Sequence, residues 1–150
     1  MSLYLETLYD ALRTVVAATW PDVDPDGIFE ADHLDMIPWQ DLTPPYAVLA
    51  IGSMPQDTAT GPADGLCYLP VVDIFYVATV SGPRSAIRAK LEALRDALWY
   101  GPLALGQVRS LPSMDWSADL PANQVLAAKG MSQRAGRLQV GILVGEIFSR

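Results

Sequence analysis

The stretch Leu66-Cys67-Tyr68-Leu69-Pro70-Val71-Val72-Asp73-Ile74-Phe75-Tyr76-Val77-Ala78-Thr79-Val80 carries the strongest β signal in the chain. Its β-branched and aromatic residues suit a pleated, half-buried strand, and it is too short to be a membrane span. Val72, Ile74, Tyr76, Ala78 and Val80 alternate with Val71, Asp73, Phe75, Val77 and Thr79, so each set faces one side of a sheet. The first set is a natural seat for helices. The second is more apolar than a face left to water usually is. It has two readings, ordinary surface apolarity or cover by another subunit, and the second is favoured.

Working outward, Tyr46–Met54 reads as another strand, opened by Pro44-Pro45. A loop of small, turn-forming residues at 56–65 joins the two strands into an extended β-hairpin. On the other side, Ser81–Trp99 is the best-defined helix, with Ser81 or Gly82 as cap and Pro83 in the first turn. Its stripe is Ile87, Leu91, Leu94 and Leu98. Leu3–Trp20 is a second amphipathic helix that stops at Pro21. Residues 108–117 form a weaker strand, an edge because Pro112 interrupts it. Arg137–Phe148 is a strong closing strand, with Leu138, Val140, Ile142 and Val144 on one face and Leu143 and Ile147 on the other.

The expected order is α-β-β-α-β-β: one α+β domain over 1–150, with an antiparallel or mixed sheet of about four strands. Two helices pack on one face of it. At 150 residues, 51% of them hydrophobic and 18% charged, the chain can bury a substantial core. Cys67 is the only cysteine, so no internal disulfide is possible and a packing role is expected. The N-terminus lacks the pattern of a signal peptide, which points to a soluble protein made inside the cell.

The net charge is −7, unevenly placed. Residues 1–41 hold nine acids and one base, Arg13, whereas residues 84–95 hold Arg84, Arg88, Lys90 and Arg95 against Glu92. Such a chain is ill suited to gripping nucleic acid. The basic loop with Lys129, Arg134 and Arg137 is either a solvated turn or a contact for an acidic neighbouring subunit, including the Asp-rich segment of another copy.

Asp22, Asp24 and Asp26, followed by Gly27, imitate the opening of an EF-hand calcium loop. The twelfth position, which needs a bidentate Glu, is His33, and the flanking segments are not the required helices. No specific calcium site is expected; capped turns and negative charge at a subunit contact are. His33 is the only histidine and has no nucleophile near it in sequence. The glycines form no phosphate loop or dinucleotide fingerprint, and Asp73 has no evident carboxylate partner. No catalytic, cofactor or metal residues are therefore assigned, and the chain is not expected to be an enzyme.

The layout of SLYLETLYDALRTVV, PPYAVLAIGSM, YLPVVDIFYVATV, SAIRAKLEALRDAL and GRLQVGILVGEI resembles the tail terminator and head–tail joining proteins of long-tailed bacteriophages, minor tail proteins of the virion. The resemblance spans essentially the whole chain and is one of layout, without a diagnostic motif. It implies a structural protein, assembled in the bacterial host cytoplasm, that forms a ring, commonly of six, in the tail or neck. The ring would stop tail polymerisation and join the tail tube protein to the head connector or stopper. DNA would pass through without specific binding, and Asp73 would face that lumen. On this reading the interface residues are Val71, Asp73, Phe75, Val77, Leu143, Ile147, Lys129, Arg134 and Arg137. The head-side stopper or adaptor role is an alternative. So is a small dimeric ferredoxin-like or α/β-barrel protein that binds a small molecule, as an enzyme or otherwise.

Overall fold

The computed structural model describes residues 2–32, 36–53, 55, 67–101, 106–108 and 112–145. Their elements run α1 (Ser2–Thr19), β1 (Ile28–Ala31), β2 (Tyr46–Ile51), β3 (Cys67–Tyr68), β4 (Val71–Thr79), α2 (Arg84–Tyr100), β5 (Gly106–Val108), β6 (Ser113–Asp115), α3 (Pro121–Ala128) and β7 (Gln133–Gly145). Short 3-10 turns at Pro25–Gly27 and Trp39–Asp41 flank β1.

One mixed sheet holds these strands in the order β1-β2-β4-β7-β3, with β5 and β6 also paired to β7. The β2–β4 and β4–β7 ladders are antiparallel, and β1 joins β2 in parallel. At its far end β7 leaves β4 and pairs with β3 and β5. The strand expected over 108–117 is thus two short strands, both edges on β7.

Alternation explains the first layer. Val72, Ile74 and Tyr76 of β4, with Leu138, Val140, Ile142 and Val144 of β7, join Leu8, Leu12 and Val16 of α1 and Ile87, Leu91, Leu94 and Leu98 of α2 in one core. Each such aliphatic side chain contributes about 1.5–3 kcal/mol when fully buried. Gly136 lets α2 approach: a Cβ there would lie 2.4 Å from Ile87 Cγ2 and 2.9 Å from Leu91 Cδ1.

The helix count and their placement on one face need correction. α3 lies on the opposite face, where Leu120, Ala122 and Leu126 meet Val48, Phe75, Val77 and Ala135. Ile37, Trp39 and Tyr46 complete that second core. The far face is therefore covered largely by the chain itself. α3 is only eight residues long with Pro121 in its first turn, and Gly130 at φ +67° provides the left-handed turn into β7. α2 begins at Arg84 with Pro83 at its cap and no side-chain capping bond, so neither Ser81 nor Gly82 is the cap. The expected loop at 56–65 lies outside the described residues.

Candidate functional site

The acidic segment is the simplest place to begin. Asp22 Oδ1 accepts a hydrogen bond from Lys90 Nζ at 2.6 Å, and Asp22 Oδ2 accepts one from Tyr76 Oη at 2.5 Å. Trp20 packs edge-on against the Tyr76 ring at 5.0 Å between centroids, and its indole N–H donates to the Lys90 carbonyl at 2.9 Å. Burial alone would raise the Asp22 carboxyl, but the bonds from Lys90 and Tyr76 outweigh it and hold the group below the ordinary carboxylate value. Burial and then the bond to Asp22 push the Tyr76 phenol well above its usual range. Both Asp22 oxygens are thus engaged in fastening the loop to β4 and α2.

Asp24 caps the following 3-10 turn, accepting from the Asp26 N–H at 2.9 Å. Asp24 and Asp26 are exposed. Among the described residues no group of three or more His, Cys, Asp and Glu side chains is arranged to hold a metal ion. His33 lies outside the described residues.

The residues expected at an interface separate into three sets. Phe75 and Val77 are buried within the chain under α3, and Leu143 is buried as well, so these three are core and not contact residues. The alternation favours cover by another subunit, but over Phe75 and Val77 the cover is α3 of the same chain, where Leu120, Ala122 and Leu126 fit that face. Ile147 lies outside the described residues.

Val71, Asp73 and Arg137 do come together. They line a cleft of about 240 Å³ with Asp32, Pro121 and Phe75. Val71 is 54% exposed there. Asp73 is half-buried on the face opposite α1 and α2, and it accepts a hydrogen bond from Gln139 Nε2 at 2.9 Å. Arg137 Nε is buried without a hydrogen-bond partner. Its charge does act on Asp115, whose carboxyl is held low chiefly by the Ser117 backbone N–H and hydroxyl, with Arg137 adding a smaller pull.

Arg134, three residues before Arg137 on β7 and on the opposite face of the strand, lines a separate cleft with Arg84 and Val80. Lys129 is exposed at the end of α3. The Val71–Arg137 cleft therefore opens on the second side, whereas the Val80–Arg134 cleft lies at the margin between α3 and the start of α2.

No family model and no curated protein matches the chain. Among solved structures, a chain from the virion of a native gene transfer agent particle matches over 97% of this chain and 100% of its own length, with 16% identity and a TM-score of 0.55. The chain is similar in fold to a virion protein. The likeness is one of fold, and it leaves almost nothing over on either side.

Asn123 was not singled out by sequence. Its side chain accepts from the Ala135 N–H at 2.7 Å and donates to the Ala135 carbonyl at 2.9 Å and the Ser117 carbonyl at 2.8 Å. One amide thus occupies both backbone groups that Ala135 would offer to another strand. A lone Asn in a short apolar segment carries no periodic signal that could have revealed this.

Proposed function

We propose that the chain is a structural protein of a phage-like virion and has no enzymatic role. Within that setting we assign it a ring at the end of the tail tube, terminating tail polymerisation and joining tail to head. The carrying observation is the end-to-end fold likeness to a gene transfer agent virion chain. The charge supports it: a net −7 suits a passage through which DNA slides. With Asp73 half-buried at a cleft mouth away from the two long helices, it is compatible with a place near such a lumen.

The small-molecule alternative requires an enclosed pocket with converging polar groups. Asp32, Asp73 and Arg137 do converge, but their cleft is open and, at about 240 Å³, falls below the ~300–1,000 Å³ of ordinary ligand pockets.

The test is native mass spectrometry of the purified chain over a concentration series, with electron microscopy of any assembly. Its effect on self-assembling tail tube protein would be measured in parallel. A closed ring that caps tubes is the expected result. A chain that stays monomeric throughout and leaves tube length unchanged would defeat the assignment.

A further inference from the structure

The described cations divide sharply. Arg13, Arg88, Lys90 and Arg95 each pair with a carboxylate. Arg84, Lys129, Arg134 and Arg137 form no ion pair among the described residues. Two of these four meet at one corner. Arg84 and Arg134 line a cleft of about 260 Å³ with Val80, Ala127 and Met131, and no described carboxylate lines it. Lys129 stands between Ala127 and Met131 in sequence and is exposed. Val80 is 44% exposed, an apolar floor beside unpaired charge. In a chain of net charge −7, such a corner attracts carboxylates.

The sheet register shows where matching carboxylates lie. Ile28 pairs with Ala47, Ala47 with Tyr76, and Tyr76 with Gly136, so these four form one row across the sheet. β1 and β7 run in the same direction along that row. Two residues before Ile28 is Asp26; two residues before Gly136 is Arg134. The exposed Asp24–Asp26 turn and the basic corner are therefore level with each other on opposite edges, three strand spacings or about 14 Å apart.

A second copy set edge to edge would bring the acidic turn of one against the basic corner of the next. The contact uses different surfaces on each side, and repeated contacts of that kind close into a ring when the rotation permits. Strand addition at Ala135 is blocked, since Asn123 already occupies its backbone groups. Side-chain charge is what remains to select the neighbour.

We infer that the corner formed by Arg84 and Arg134 receives the Asp24–Asp26 turn of a second copy of this chain. This rests on the ring assignment above and specifies the contact that builds the ring. The experiment compares R84E/R134E, D24N/D26K and their equimolar mixture by native mass spectrometry, with circular dichroism to check folding. Asn at 24 retains a capping side chain.

Each variant alone should assemble at least about tenfold more weakly than the parent, and the mixture should recover, because opposite reversals restore both kinds of contact. Parent assembly should also weaken as salt rises. If R84E/R134E assembles like the parent, this contact is wrong while the ring stands. If the parent is monomeric at every concentration, both fall. If R84E/R134E loses only retardation of DNA and assembles normally, the corner binds phosphate and the inference is overturned.

Discussion

The two faces of the sheet are covered in different ways. One carries two long helices whose stripes mesh with β4 and β7 in a continuous aliphatic core. The other carries an eight-residue helix and a segment around Trp39, with a cleft at Val71–Arg137 on that face and another at Val80–Arg134 along its margin with α2. The first arrangement spends its side chains on stability. The second leaves edges and charges available, and the candidate contacts fall there. A small helix is enough to bury Phe75 and Val77 but too short to close the sheet at both ends.

Four substitutions bear on this contrast. The largest effect is expected from Leu91→Ala in the first core, about 3–5 kcal/mol, because a fully buried residue beneath α2 leaves a cavity that the rigid helix cannot close. Urea denaturation measures it. Leu126→Ala on α3 should cost less, about 2–3 kcal/mol, since a short peripheral helix can settle into the gap. If the two losses were equal or reversed, the second face would be as firmly built as the first, and the contrast would fail.

Asn123→Ala should cost about 1–2 kcal/mol by releasing the Ala135 backbone groups. Amide exchange at Ala135 should accelerate while exchange in the middle of β4 does not. Uniform acceleration would mean that Asn123 supports the whole fold and not the edge.

The smallest effect belongs to Tyr76→Phe, which removes one hydrogen bond to Asp22. It should cost about 1 kcal/mol or less, because Asp22 is over a third exposed and solvent screens the contact. The sign with pH follows from the shifts. The Asp22 carboxyl is lowered by folding, so its contribution is complete above the ordinary value of 3.8 and is lost as the pH falls through the folded value. The Tyr76 phenol is raised, so its contribution is complete below 10 and is lost as the pH rises beyond it. Melting curves of the parent and Tyr76→Phe should therefore converge as the pH falls through the lowered folded value of Asp22. A constant gap at every pH would show that the bond to ionised Asp22 contributes nothing.

The legible part of the fold was the part with sustained period. Leu8, Leu12 and Val16, then Ile87, Leu91, Leu94 and Leu98, announce helices over several turns, and β2, β4 and β7 alternate over enough residues to be seen. β1 is four residues in a proline-rich stretch, and it is a strand only because β2 offers it an edge. α3 is not legible, and its last three residues fall in the basic loop at 126–137, because Ala122 and Leu126 are too few to set a period. His33 at the twelfth position and the flanks of the acidic loop are local features, so its departure from an EF-hand can be read from sequence. That Asp22 instead fastens the loop to Tyr76 and Lys90, 54 and 68 residues away, was beyond any local pattern.

Sequence by itself determined which segments are strands and helices on the first face, because the spacing of apolar residues is a local property that burial must respect. It also marked the second face as more apolar than a face left to water usually is. Only the tertiary structure decided that α3 covers it and that Asn123 closes the edge at Ala135. The register likewise sets Asp26 and Arg134 level on opposite edges. Those outcomes depend on strand pairings between residues far apart in the chain, which no spacing along it records.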